Sequence, residues 1–185
     1  MKRLGFFGGC FNPPTIAHIR LIEKAIEIAH LDKVYFVPMG NLYEKEGLVD
    51  EKHRINMLNL AIKNNPKLEV SDIQMSTNKK MHAIDTFKLI DRTFSESENF
   101  FIMGSDNFKN LKLWKNSEEL LTNYNYIILD RGNLKNENVI IVKSTEKLKE
   151  ISSSFIREQI RKNGKLDNLL LKEVKDYILE NKLYK

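Results

Sequence analysis

Short apolar segments alternate with amphipathic segments along the chain, and this alternation constrains the fold more than any other feature of the sequence. The apolar segments are residues 4–7, 33–37, 68–70, 100–103, 126–129 and 139–142. Apolar runs without polar alternation are typical of parallel strands that are covered on both faces. Helices connecting such strands form right-handed crossovers, so the pattern predicts an α/β fold of the Rossmann-like type, with a doubly wound parallel sheet.

Helical periodicity fills most of the stretches between these strands. The first such stretch, residues 15–29, places Ile19, Ile22 and Ile26 on one stripe. Further helices are predicted at residues 51–64, 83–92, 117–121, 153–163 and 171–181. The last two follow the final strand, and Gly164 is suited to cap the first of them. We therefore expect one domain over residues 1–185, with a small C-terminal helical extension from about residue 151.

Composition narrows the possible partners and the compartment. A single cysteine, Cys10, excludes an intramolecular disulfide and fits a reducing cytoplasm. No apolar stretch approaches the roughly 20 residues of a membrane span, so no membrane association is expected. The net charge of +5 comes from lysines that are mixed with glutamates, which argues against nucleic acid as a partner. We expect small-molecule substrates and no metal site built from protein ligands alone, and a homo-oligomer is compatible with the sequence.

Two predicted helix starts carry the residue types that bind phosphate. The first follows Gly8 and Gly9 at the end of the first strand and leads through Cys10 and Phe11 to a helix that contains His18. The second, residues 151–157, has three consecutive serines and then an arginine. Unpaired amides and the helix dipole favour anions at such positions. Either start alone fits a tight turn or an N-cap equally well, but the pair predicts a polyphosphate site.

Two glycines and an aspartate also follow the ends of predicted strands. They are Gly8, Gly104 and Asp106, and ligands of doubly wound sheets bind beyond the carboxyl ends of the strands. Asp106 is suited either to recognising a hydroxyl or an amine or to capping a helix. The longest irregular stretch, residues 38–50, is predicted to be a mobile, functional loop. We name it the acceptor-side loop, because it contains the substrate loop of the family resemblance described next.

These segments resemble a known superfamily. Residues 8–18, GGCFNPPTIAH, resemble the GG-x-F-[DN]-P-x-[HT]-x-G-H signature of the nucleotidylyltransferases, and residues 151–157, ISSSFIR, resemble its I-S-S-T-x-[IV]-R. The loop at 37–41, the helix at 51–61, the GSDN at 104–107 and the ending at 174–184 are similar to those of bacterial nicotinate-nucleotide adenylyltransferases. The resemblance runs nearly from end to end of the chain.

The resemblance implies a reaction and a set of site residues. The reaction is adenylyl transfer from ATP to nicotinate mononucleotide, which gives deamido-NAD and pyrophosphate in NAD biosynthesis, with Mg²⁺ bound to the ATP. The implied catalytic residues are His18, Thr15 and Arg157. The implied ATP-binding residues are Gly8, Gly9, Cys10, Phe11, Thr15, His18, Gly104, Asp106, Ile151, Ser152, Ser153, Ser154 and Arg157. The implied acceptor-binding residues are Asn41, Lys45, Ala83, Trp114 and Arg131.

Four departures from the family pattern keep other functions open. Thr15 stands where the family has a histidine, and Ala17 stands where it has a glycine. Residues 42–45 lack the prolines and the histidine of the substrate loop, and residues 82–84 lack its tyrosine–threonine pair. One alternative is an adenylyltransferase for another acceptor, such as phosphopantetheine. The other is a non-catalytic nucleotide-binding protein of the same fold.

Overall fold

A parallel sheet forms the centre of the protein. The computed structural model describes residues 1–42, 46–75 and 80–185, and within these ranges six strands form one sheet. The strands are β1 (Lys2–Gly9), β2 (Lys33–Pro38), β3 (Leu68–Val70), β4 (Ser97–Gly104), β5 (Asn125–Asp130) and β6 (Ile140–Lys143). Their order is β3-β2-β1-β4-β5-β6, and every neighbouring pair is parallel. The predicted Rossmann-like α/β fold is confirmed.

Helices connect the strands and cover the sheet. They are α1 (Ile16–Ala29), α2 (Glu51–Ile62), α3 (Ala83–Thr93), α4 (Ser105–Lys109), α5 (Ser117–Asn123), α6 (Glu146–Lys149), α7 (Ser153–Arg161) and α8 (Lys172–Glu180), with a 3₁₀ turn at Leu111–Leu113. The short elements α4, α6 and the 3₁₀ turn were not predicted, because one turn of helix shows no hydrophobic period. None of the helices in the described ranges has the length and apolar character needed to cross a bilayer.

Side chains of successive strand residues enter cores on opposite faces of the sheet. In β1, Phe7 packs into a cluster under α1 that includes the fully buried Ile22 and Phe36. Phe6, its neighbour, packs into the opposite cluster, where Phe101 lies beneath α3. This alternation follows from the two-residue repeat of a strand and gives the sheet an apolar layer on both faces.

A third apolar cluster joins the C-terminal helices to the first half of the chain. Ile156 of α7 and Val174 of α8 pack with Ala17 of α1 and Met57 of α2, and at most 1 % of the surface of each is exposed. Ala17 is completely buried, so a small residue at this position allows the helices to approach closely. The cluster therefore places the start of α7 beside the start of α1.

Truncating Ile156 tests how strongly this cluster stabilises the fold. We expect Ile156→Ala to lower the free energy of unfolding by about 2–5 kcal/mol, because it removes buried methyl groups and leaves a cavity. Urea unfolding monitored by circular dichroism measures the loss. Glu158→Ala, on the exposed side of the same helix, is the matched control and should leave stability nearly unchanged. A separate early transition for the C-terminal helices in Ile156→Ala would contradict the expectation of one domain.

Candidate active site

Two adjacent cavities open at the carboxyl end of the sheet. They lie where the strand order reverses between β1 and β4, which is the usual ligand position in doubly wound folds. Gly8, Gly9 and Asn107 line both cavities and form the boundary between them. We name them the histidine cavity, which contains His18, and the aromatic cavity, which contains Trp114.

The histidine cavity has a volume of about 260 Å³, and its wall combines polar groups with apolar surface from Phe7, Leu21 and Leu129. Its lining includes Gly8, Gly9, Cys10, Phe11, His18, Gly104, Asp106, Asn107, Arg131 and Ser153. A Cβ atom added at Gly8 would meet no heavy atom within 4 Å, so this glycine leaves open space beside the backbone. The Cys10 thiol lies 3.5 Å from the Met39 sulfur. The wall thus combines exposed backbone with a few polar side chains.

Thr15 and His18 fix each other through a reciprocal cap at the start of α1. The Thr15 hydroxyl accepts a hydrogen bond from the His18 amide at 3.2 Å, and the Thr15 amide donates to His18 Nδ1 at 3.0 Å. An Nδ1 atom that accepts a backbone N–H carries no proton, so the neutral ring carries its proton on Nε2. This hydrogen-bond network assigns the tautomer and leaves Nε2–H as the donor available to the cavity.

The surroundings of His18 keep its ring uncharged. Burial, and secondarily the positive charge of Arg131, lower the pKa of His18 from 6.5 to about 4. Near neutral pH the imidazole is therefore a neutral hydrogen-bond donor. An anion bound in the cavity would oppose the effect of Arg131 and favour the protonated ring.

Arg131 lies within a turn that the Asp130 side chain stabilises. Asp130, at the end of β5, is buried and accepts hydrogen bonds from the amides of Gly132 at 2.9 Å and Leu134 at 3.0 Å. Burial opposes ionisation of the Asp130 carboxyl, but hydrogen bonds from Gly132, Leu134 and Ser105 outweigh it, so its pKa lies below the usual value. The ionised Asp130 shapes the turn that presents Arg131 to His18.

The structure brings the start of α7 against the loop that precedes α1. Ser153 Oγ donates to the Pro13 carbonyl at 2.8 Å, and Arg157 Nη1 donates to the Asn12 carbonyl, also at 2.8 Å. Ser152 caps α7 by accepting from the Phe155 amide. The two helix starts that carry phosphate-binding residue types therefore lie side by side, although they are far apart in the sequence.

The other predicted ATP-site residues occupy different positions. Ser153 lines the histidine cavity, whereas Arg157 also donates to Ser154 Oγ at 3.3 Å and is engaged with its own helix and the loop. Ile151 is buried in the third apolar cluster, where it fixes the backbone just before α7. Asp106 is exposed on the cavity wall in the first turn of α4, at the end of β4.

The aromatic cavity has a volume of about 600 Å³ and is largely apolar. Its lining includes Met81, His82, Ala83, Phe87, Phe101, Met103 and Trp114. Phe87 and Phe101 stack with their ring centroids 3.5 Å apart and form one side of the cavity. Trp114 is only partly buried, so part of the indole is available to a planar ligand. Ala83 begins α3, and its small side chain leaves space at this wall.

Two of the predicted acceptor residues, Asn41 and Arg131, do not line the aromatic cavity. Arg131 lines the histidine cavity instead, because the Asp130 turn directs the chain toward His18. Asn41 lines neither cavity, since its side chain donates to Asp50 at 2.8 Å and accepts from the Glu51 amide at 2.8 Å. Lys45 lies outside the described residues.

Two polar residues of the site were not predicted from the sequence. Asn12 is 3 % exposed and Arg54 is fully buried, and both join the loop before α1 to residues 46–50. Residues 8–18 include Asn12, but its side-chain partners lie more than 30 residues away. Arg54 lies in the predicted helix at residues 51–61, but the helical pattern gave no indication that its charge would be buried.

Carboxylates are sparse at the histidine cavity. Asp106 is the one carboxylate among the described residues that line it. Across the described ranges, no group of three or more His, Cys, Asp or Glu side chains is arranged to hold a metal ion. This donor set fits a divalent cation that is coordinated mainly by phosphate oxygens and water, not one enclosed by protein ligands.

Comparison with known proteins identifies the family of the chain. A model of the cytidylyltransferase-like family matches residues 6–159. The chain is 31% identical over 187 residues to the nicotinate-nucleotide adenylyltransferase of Bacillus subtilis, covering 100% of this chain and 99% of that protein. It is 33% identical over 199 residues to a "probable nicotinate-nucleotide adenylyltransferase" of Carboxydothermus hydrogenoformans, covering 99% and 98% respectively.

Solved structures match the fold over the same length. Nicotinic acid mononucleotide adenylyltransferase of Plasmodium falciparum superposes with a TM-score of 0.85 at 22% identity, covering 100% of this chain and 98% of that one. One structure of that protein is a complex with APC and another is a complex with NaAD. These structures share the fold of the chain. The family model and the full-length similarity to the bacterial relatives show that the chain belongs to the cytidylyltransferase-like family and, within it, to the nicotinate-nucleotide adenylyltransferases.

Proposed function

We propose that the protein transfers the adenylyl group of ATP to nicotinate mononucleotide, producing deamido-NAD and pyrophosphate for NAD biosynthesis. The observation that carries this proposal is the shared boundary of the two cavities at Gly8, Gly9 and Asn107. One cavity offers donors for phosphate, and the other offers apolar and aromatic walls for a planar ring. Two nucleotides bound in these cavities would bring their phosphates together beside Gly8. The name of the Bacillus subtilis relative supports the same assignment.

The reaction needs alignment more than acid–base chemistry. A phosphate oxygen of nicotinate mononucleotide attacks the α-phosphorus of ATP and forms a new P–O bond. The bond from the α-phosphorus to the oxygen bridging it to the β-phosphorus breaks, and that electron pair leaves with pyrophosphate. Because the nucleophile is already an anion, no side chain has to remove a proton. Catalysis then depends on holding the phosphates in line and stabilising the transferred group.

His18 is the central donor in this proposal. Its Nε2–H donates to a phosphate oxygen and stabilises the pentacoordinate state, while Nδ1 stays bound to the Thr15 amide. Thr15 is 1 % exposed and its hydroxyl is engaged with the His18 amide. We therefore assign Thr15 a positioning role that acts through His18, in place of the direct phosphate contact expected from the sequence.

The remaining phosphate donors come from both helix starts and from Arg131. We assign the backbone near Gly8, Gly9, Cys10 and Phe11 to the triphosphate, and the Ser153 hydroxyl joins these donors when it turns away from the Pro13 carbonyl, to which it donates in the free protein. Ser152 and Ile151 fix the start of α7, and Ser154 accepts from Arg157. Arg157 has three further N–H groups beyond the two bonds it makes, and these can reach the phosphates with a side-chain rotation. Gly104 and Asp106 are assigned to the adenosine part of ATP.

Acceptor recognition is assigned to the aromatic cavity. Trp114 stacks on the pyridine ring, and Ala83 leaves room for it at the start of α3. Roles for Asn41 and Lys45 in binding the acceptor stay predictions from the sequence. A homo-oligomeric state, a cytoplasmic location and the absence of nucleic-acid and membrane partners also stay predictions.

Mg²⁺ is the metal we assign to the reaction. When bound to the ATP phosphates it neutralises their charge and favours departure of pyrophosphate. Among the described residues that line the histidine cavity, Asp106 carries the one carboxylate, and it would contribute an oxygen ligand only in place of its assigned contact with the adenosine. The neutral His18 and the backbone amides would donate hydrogen bonds to phosphate oxygens and so share in neutralising their charge.

A panel of acceptors tests the proposed function. Pyrophosphate release should be measured with ATP and Mg²⁺ in the presence of nicotinate mononucleotide, nicotinamide mononucleotide, phosphopantetheine or no acceptor. We expect release with nicotinate mononucleotide at a kcat/KM that exceeds the values for the other acceptors. Release only with phosphopantetheine would assign a different acceptor, and ATP binding without any release would indicate a non-catalytic nucleotide-binding protein.

Removing the His18 imidazole should slow the chemical step. We expect His18→Ala to lower kcat by about a hundredfold or more, the scale of losing one donor aimed at developing charge. The KM for ATP should change much less, because several other donors hold the phosphates. His30→Asn, at the exposed end of α1, is the matched control, since asparagine tolerates the left-handed conformation found there. Unchanged kcat in His18→Ala would refute the assigned role.

The protonation state of His18 gives an independent test. In the free protein, NMR titration of the ring should give a pKa of about 4, and a nonhydrolysable ATP analogue should raise it because phosphate anions favour the imidazolium. Arg131→Gln should also raise the pKa, since it removes a nearby positive charge. The free energy of unfolding should fall as the pH drops from about 6.5 to about 4, because the unfolded chain binds this proton first. A pKa near 6.5 in the free protein would show that the buried ring is not held neutral by its surroundings.

A further inference from the structure

Residues 46–50 are fastened to the loop that precedes α1, residues 10–14, which we call the phosphate loop. The Asn12 side chain provides two of the bonds: its Nδ2 donates to the Gly47 carbonyl at 2.7 Å, and its Oδ1 accepts from the Val49 amide at 3.2 Å. An amide side chain that donates and accepts in this way recognises a short stretch of backbone in one register only. Asn12 therefore fixes both the distance and the register between the two segments.

Arg54 forms a second bridge between the same segments. Its Nε donates to the Val49 carbonyl at 3.0 Å, and its Nη1 donates to the Cys10 carbonyl at 3.1 Å. Its Nη2 reaches Asn41 Oδ1 at 3.4 Å, so the guanidinium also contacts the beginning of the acceptor-side loop. Burial lowers the pKa of Arg54 from its ordinary value. A buried guanidinium is retained only where such acceptors compensate its desolvation.

Gly47 has the conformation that this contact requires. Its φ is +69°, a left-handed value that glycine adopts without strain. A Cβ at this residue would lie 3.6 Å from Arg161 Nη2 and 3.9 Å from Arg157 Nε, so residue 47 also lies against α7. Arg157 itself donates to the Asn12 carbonyl. Gly47 therefore lies beside a residue of α7 that also contacts the phosphate loop.

We propose that Asn12 and Arg54 are positioning residues that couple the binding of ATP to the binding of the acceptor. The proposal rests on the proposed function. The phosphate loop begins at Cys10 on the wall of the histidine cavity, directly after the two glycines that line both cavities. A ligand in the histidine cavity therefore restricts the phosphate loop, whereas a ligand in the aromatic cavity contacts Met39 and restricts the stretch that leads to Asn41. Arg54 bonds to both Cys10 and Asn41, and Asn12 ties the phosphate loop to Gly47, so each restriction reaches the other segment.

The coupling is positive and reciprocal. The first nucleotide bears the entropic cost of ordering the loop and the segment bonded to it, so the second nucleotide binds with less loss of conformational entropy. By thermodynamic linkage, ATP must strengthen acceptor binding by the same factor as the acceptor strengthens ATP binding. In a protein without the Asn12 and Arg54 bonds, each nucleotide would order only the segment at its own cavity. The factor by which one nucleotide strengthens binding of the other would then fall toward one.

Calorimetric titration of nicotinate mononucleotide, with and without a saturating nonhydrolysable ATP analogue, measures this factor. In the unmodified protein we expect the analogue to tighten acceptor binding at least about fivefold. Asn12→Ala removes both side-chain bonds and should bring the factor close to one. Asn12→Asp keeps the acceptor for the Val49 amide but loses the donor to Gly47, so it should retain an intermediate factor. Arg54→Met should also reduce the factor.

A remote asparagine supplies the control for a general loss of stability. Asn99 Nδ2 donates to Asp91 at 2.9 Å and to the Phe94 carbonyl at 3.3 Å, and Asn99 lies near the amino end of β4, at the opposite edge from the cavities. Asn99→Ala should keep the full coupling factor even if its melting temperature falls as far as that of Asn12→Ala. A residue with only a structural role would lower stability in both variants without changing the factor.

The results separate the coupling from the identity of the acceptor. A factor near one in the unmodified protein, or the same factor in Asn12→Ala as in the unmodified protein, would overturn the coupling. If the acceptor panel selects a different acceptor, the same titration with that acceptor decides the coupling. If no acceptor supports pyrophosphate release, the proposed function and the coupling that rests on it both fail.

Discussion

Apolar contact between α7 and the start of α1 is the interaction on which the candidate active site depends. Ile156 and Ala17 are fully buried in the cluster that joins the C-terminal helices to the first half of the chain. This burial aligns two helix starts that the sequence separates widely, so their unpaired amides and hydroxyls can act on one ligand. The parallel sheet supplies the edge where the cavities open. The third cluster completes the phosphate side of that edge.

The charges of the site are arranged around a neutral donor. Arg131 lies beside His18 and is held in place by the Asp130 turn, while Arg157 donates to the phosphate loop. His18 itself stays uncharged because burial and Arg131 both disfavour its protonation. Fixed N–H donors in a partly buried site stabilise developing negative charge without rearranging. The acceptor side uses shape and aromatic surface instead of charge.

Local patterns in the sequence were sufficient to predict the fold, but they were not sufficient to predict how the side chains of the site are arranged. Each predicted strand lies within the observed sheet to within a few residues, because apolar runs and helical periods are local signals. The paired helix starts were also visible, since glycines, serines and caps are local. Arg131 lines the histidine cavity because of the turn at Asp130. Asn12 and Arg54 bond to backbone groups that are far away in the sequence. No local pattern encodes such contacts.

The reciprocal cap between Thr15 and His18 has a consequence for proton movement. Because Nδ1 is occupied by a backbone N–H of the same helix, the imidazole cannot pass a proton from one ring nitrogen to the other. A relay through His18 is thereby closed, which fits a substrate that arrives already ionised. In mildly acidic solution, turnover should then fall as the acceptor phosphate monoester, whose second ionisation lies at about pH 6, takes up a proton.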